Sequence, residues 1–183
     1  LGDVYKRQTS FPYGAAQALA AQRVATAYPG MRFSELNGGG SVTTQTSQLD
    51  TVVNAGVDVV LLDAVVADAL APAVRRATDR GVAVIAVDRS VNAPVLSTIK
   101  APDVELGDRV AEQAAEQLGG RGRVAILSGT PGASPTIDRT TGITRTLARY
   151  PGIEIVDDVN GNYDITQGYQ ATRNLLAKYA SGE

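Results

Sequence analysis

Residues 82–89 read Val82-Ala83-Val84-Ile85-Ala86-Val87-Asp88-Arg89, six apolar residues in a row that deliver a carboxylate and a guanidinium. An unbroken apolar run rich in Val and Ile is the pattern of a parallel strand covered by helices on both faces, because burial on both sides removes the alternation with polar residues. Asp58-Val59-Val60-Leu61-Leu62 is a second run of the same kind. Between the two, residues 67–80 read as a helix stopped at Gly81. Strand, helix, strand in that order is the βαβ unit of an α/β protein with a parallel sheet.

Working outward, the alternation continues in both directions. Toward the N-terminus lie a helix over 43–55 closed by Gly56, a strand over 32–36, and a helix over 15–28 ended by Pro29-Gly30. Toward the C-terminus come a brief strand over 96–99 and a helix from Asp103, read as its N-cap, to Leu118. Then follow strand 123–127, helix 137–150, strand 153–156 and helix 166–179. The first recognisable element is a helix and so is the last, with no strand to return to, so the order reads as the middle of something longer. Residues 1–8 (LGDVYKRQ) fit neither a buried strand nor an amphipathic helix and read as a non-native or disordered N-terminus resembling translated adapter sequence.

Composition narrows the chemistry. The 183 residues are 44% hydrophobic and 20% charged, with 17 Lys+Arg against 19 Asp+Glu and a net charge of -2, the profile of an ordinary globular chain. With no His and no Cys, a Ser-His-Asp triad, a Cys-His pair, a thiol redox couple and His/Cys zinc sites are all excluded. The near-neutral charge without a Lys/Arg cluster leaves no electrostatic footprint for nucleic acid. No apolar run approaches the roughly 20 residues that span a bilayer.

In open parallel sheets, ligands bind beyond the C-terminal ends of the strands, and Asp88-Arg89 sits there. A carboxylate accepts from two neighbouring hydroxyls and a planar guanidinium donates two parallel bonds, so the pair suits a polyol; the competing reading is a solvated ion pair in a loop. Phe11-Pro12-Tyr13 places two aromatics before the first helix, where they could face a sugar ring or serve as a hydrophobic staple. Arg139, near the start of the helix after Leu127, and Tyr163-Asp164, after the strand ending near Val156, repeat this chemistry in the second half. The Gly-rich stretches 38–41 and 128–134 lack the Lys and spacing of phosphate loops and read as plain βα turns, so no cofactor and no metal is called for.

The string Val84-Ile85-Ala86-Val87-Asp88-Arg89, with Pro12-Tyr13, Arg139 and Tyr163-Asp164 in register around it, resembles the ribose-type periplasmic sugar-binding proteins. These are solute-binding subunits of ABC importers. Phe11 and Gly14 stand where that family usually carries Asn and a second aromatic, and Pro102-Asp103 where it often carries Asp-Asn.

The resemblance implies an α/β fold of two Rossmann-like lobes with parallel sheets, the periplasmic binding protein type I fold, truncated at both ends. It divides the chain into an N-terminal lobe over 9–101, its first strand missing or replaced, and a partial C-terminal lobe over 102–183. It implies a monosaccharide or similar polyol bound in the interlobe cleft and delivered to the membrane permease of an importer, with no catalysis. Phe11, Tyr13, Asp88 and Arg89 would bind from one lobe, and Arg139, Tyr163 and Asp164 from the other. The protein is then expected to be periplasmic or extracytoplasmic and monomeric. The same fold serves as the effector domain of lac-repressor-type regulators, which is the alternative reading.

Overall fold

The computed structural model describes residues 12–179. The chain separates into two compact units, with the division between Ala101 and Pro102.

The first unit contains α1 (Pro12–Thr26), α2 (Val42–Asn54), β1 (Val59–Leu62), α3 (Ala67–Asp79), β2 (Ala83–Val87) and β3 (Ser97–Ile99). Its three strands form a parallel sheet in the order β1-β2-β3, Val59 facing Ala83 and Ile85 facing Ser97. Every second residue of β1 and β2, namely Val60, Leu62, Val84 and Ala86, is completely buried; the alternate set is partly covered. Leu49, Val52 and Val53 of α2 and Leu70, Val74 and Ala77 of α3 recur at helical spacing and close over this sheet as one core. Ser41 caps α2, its hydroxyl accepting from the Thr44 N–H.

The second unit contains α4 (Asp103–Gln117), β4 (Arg121–Ser128), α5 (Ser134–Leu147), β5 (Gly152–Asn160) and α6 (Ile165–Tyr179). Strands β4 and β5 are parallel, running from Arg121 opposite Gly152 to Ser128 opposite Asn160. Helices α4 and α5 meet at two glycines: a Cβ on Gly107 would stand 2.2 Å from the Arg139 carbonyl oxygen, and one on Gly142 would stand 2.1 Å from the Val104 carbonyl oxygen. Only a residue without a side chain lets the two backbones approach this closely. Three ion pairs run along the same seam, Asp103 with Arg139, Asp108 with Arg145 and Glu112 with Arg149.

Several local expectations are corrected. Residues 31–36 carry no strand ladder among the described residues, with a lone bridge at Asn37. Only Phe33 and Leu36 turn partly inward there, a spacing of three that does not fit the two-residue period of a strand. Pro12 and Tyr13 do not precede the first helix but open it, proline being suited to a first turn. Asp103 is not the cap of α4: Pro102 holds that position without a side-chain bond, and the Asp103 carboxylate is turned to Arg139. Strand β5 runs on past Val156 to Asn160, because a bulge between Val124 and Ala125 re-phases the ladder and pairs Ala125 with Asp157. The Asp157 side chain is then held by Lys178 and the Tyr179 hydroxyl.

Candidate functional site

In the first unit the chemistry gathers beyond the C-terminal ends of β1 and β2. Asp88 follows the last residue of β2 in the left-handed region, φ 66°, a conformation Asp tolerates better than most residues and one that collects at binding sites. Its N–H donates to the Ile99 carbonyl at 2.7 Å, which ties the residue after β2 to the last residue of β3. From the first turn of α1, the Tyr13 hydroxyl donates to Asp88 Oδ1 at 2.9 Å. Partial burial and the neighbouring Asp88 raise the Tyr13 pKa above its ordinary value, so the phenol remains a neutral donor around neutral pH.

Arg89 is buried. Its Nε lies 3.3 Å from Asp63 Oδ1 and 3.8 Å from Asp88 Oδ2, and its Nη1 donates to the Val65 carbonyl at 3.4 Å. The exposed edge of this cluster is made by Tyr13 and Asp88, with Arg89 behind them. Phe11 lies outside the described residues.

In the second unit, Arg139 reaches from α5 to the first residue of α4, its Nε and Nη2 each 2.8 Å from Asp103 Oδ1. Tyr163 follows β5 in the left-handed region at φ 55°, as does Asn162 before it at φ 54°. Its hydroxyl shares a 3.0 Å hydrogen bond with the Thr136 hydroxyl of α5. Its ring lies over Gly129, where a Cβ would stand 2.1 Å from the ring. Arg139 and Tyr163 both line a largely apolar concavity of about 380 Å³, together with Leu106, Val110, Leu127 and Ile143. Asp164 acts as a cap for α6, accepting from the Gln167 N–H at 2.8 Å, so part of its hydrogen-bonding capacity is committed to the fold.

Two residues that sequence reasoning passed over organise the first cluster. Asp63 stands after β1 as Asp88 stands after β2, so strand-end position was the available signal. Gln45 is completely buried in α2; its amide N–H donates to the Asp63 carbonyl at 2.7 Å and its amide oxygen accepts from the Val65 N–H at 2.9 Å. It thereby holds the loop whose carboxylate and carbonyl hold Arg89. A polar residue one turn before Leu49 on the apolar stripe of α2 was its only trace in the sequence. Thr136, which anchors Tyr163, left no such trace.

Two lobes of parallel strands, each with polar side chains gathered at the C-terminal strand ends, match a known family. The family described as periplasmic binding protein domain has a profile that matches residues 4–182. The chain belongs to that family. As a periplasmic binding protein it is 33% identical to the xylitol-binding protein of Mycolicibacterium smegmatis over 75% of this chain and 40% of that protein. It is 31% identical to the ribose import binding protein of Bacillus subtilis over 80% of this chain and 48% of that one. It thus spans about half or less of the length of these relatives.

Among solved structures, a Caulobacter myo-inositol binding protein bound to myo-inositol matches with a TM-score of 0.89 at 25% identity, over 98% of this chain and 62% of that one. A galactofuranose binding protein matches in fold with a TM-score of 0.90 at 23% identity, over 100% and 64% of the two chains. The fold is the α/β, parallel-sheet architecture of type I periplasmic binding proteins.

Proposed function

We propose that this chain is the ligand-binding part of an extracytoplasmic solute-binding protein that takes up a monosaccharide or similar polyol and delivers it to the permease of an ABC importer. It performs no chemistry on the ligand and works as a monomer. Tyr13, Asp88 and Arg89 read hydroxyls from the first unit, while Arg139 and Tyr163 read them from the second. Asp164 contributes through the turn that presents Tyr163.

The observation that carries this reading is the first cluster. A carboxylate held in a left-handed turn at a strand end, bonded to a neutral phenol and backed by a buried guanidinium, presents an acceptor and donors side by side. Hydroxyls of a polyol are donor and acceptor at once and complement such an array. The relatives support it: two of them are named for xylitol and ribose binding. Regulators of the lac-repressor type gain no comparable support from them.

Calorimetry on the purified protein tests the reading. Asp88→Ala and Arg89→Ala are each expected to abolish binding of xylitol and ribose while the far-ultraviolet circular dichroism stays unchanged. Unchanged affinity in either variant would show that this cluster is not the site.

A further inference from the structure

Both arginines of the proposed site come already matched with a carboxylate. Arg89 lies 3.3 Å from Asp63, and the two side chains keep only 5% and 9% of their surface exposed. Arg139 lies 2.8 Å from Asp103; the Asp103 side chain is 1% exposed and that of Arg139 42%. The two pairs belong to different sheets and different units, so each is an independent observation.

An unmatched guanidinium in a largely dry pocket is a receptor for carboxylate or phosphate, which it grips bidentately. In the first unit, Asp63, Asp88 and Arg89 together carry one negative charge, and Tyr13 stays neutral. In the second, Arg139 and Asp103 cancel. An anionic ligand would need relief from the Asp88 charge and a guanidinium charge not already cancelled by a buried carboxylate. A neutral polyol asks for neither, since a guanidinium has five N–H donors and pairing with a carboxylate uses only part of the fork.

We propose that Asp63 and Asp103 are specificity-determining residues that cancel the charges of Arg89 and Arg139, so that the site admits neutral polyols and rejects sugar acids and sugar phosphates. This rests on the reading of the site as a polyol receptor. It goes further in assigning the selection by charge to two residues that sit behind the arginines.

The test is a calorimetric comparison of neutral and acidic ligands of one carbon skeleton, xylitol with xylonate and ribose with ribonate, on the wild type, Asp63→Asn and Asp103→Asn. The wild type is expected to bind the neutral member at least about tenfold more tightly than its acid. Each Asn variant is expected to narrow that ratio by about tenfold, with a smaller change for the neutral member. An acid that binds the wild type as tightly as its neutral counterpart would overturn the proposal, and so would an unchanged ratio in both variants. Should one variant fail to fold, the other still decides, because the two pairs lie in separate units. If no neutral polyol binds the wild type, the polyol reading itself falls and takes this proposal with it, a result distinct from binding without discrimination.

Discussion

Among the described residues, the first unit gathers fifteen buried apolar side chains into one cluster, whereas the second gathers three. Leu49, Leu62, Leu70, Val60, Val74 and Val84 are wholly removed from water in the first, at about 1.5–3 kcal/mol of transfer free energy for each large side chain. In the second, α6 buries no residue, and Ile165 and Leu176 are 80% and 63% exposed. What joins α4 to α5 there, besides the small cluster of Ala111, Ala115 and Leu147, is a glycine-to-backbone contact and a row of ion pairs, most of them open to solvent. The contrast separates two ways of positioning a residue of the proposed site. Asp88 and Arg89 rest on a dry core with a buried amide clamp behind them, while Arg139 and Tyr163 rest on close backbone packing, a hydroxyl–hydroxyl bond and ion pairs, the exposed ones being individually weak and screened by salt.

The largest expected effect comes from cavities. Leu70→Ala should cost about 2–5 kcal/mol in urea denaturation, whereas Leu176→Ala should stay within about 0.5 kcal/mol. Equal costs would erase the distinction between the units. Next comes the helix seam, where Gly142→Ala forces a Cβ against the Val104 carbonyl and should cost about 1–3 kcal/mol. Amide exchange should locate that loss in residues 103–147; a loss spread evenly over both units would contradict the account.

Gln45→Ala leaves the Asp63 carbonyl and the Val65 N–H without their clamp, at about 1–3 kcal/mol. It should also weaken polyol binding through a loosened Arg89, and binding at wild-type strength would deny Gln45 a positioning role.

The smallest effect is acid sensitivity of the seam. Hydrogen bonds from Arg145 and Thr146 hold the Asp108 carboxyl below its ordinary pKa. A depressed folded-state pKa means that Asp108 contributes stability above its unfolded value and loses it as pH falls through the lower folded one. Acid titration of Asp108→Asn against wild type should therefore converge at low pH; a constant difference would refute it.

Much of the fold was legible because apolar runs and helix stops are local signals. The segments around 58–62 and 82–87, the helix between them and the strand-end placement of Asp88-Arg89 all follow from residues close in sequence. Elements whose ends depend on distant partners were not legible. Asp157 and Asp158 look like turn residues, yet continue β5 because the bulge and Lys178 receive them. Asp103 looks like a cap until Arg139, far along the chain, claims its carboxylate. For the same reason the exposed-looking pair Asp88-Arg89 divides in the fold: Asp88 keeps an open edge, and Arg89 is drawn inward by Asp63 and Val65.

The central proposal is that the strand-end side chains of each unit, Asp88 and Arg89 in the first and Arg139 and Tyr163 in the second, read a polyol. Backbone amide chemical shifts during titration with xylitol or ribose test it most directly. The account predicts that the amides around Asp88 and Arg89 shift together with those around Gly129, Arg139 and Tyr163, along one binding curve. Shifts confined to one unit, or centred elsewhere in the molecule, would contradict it.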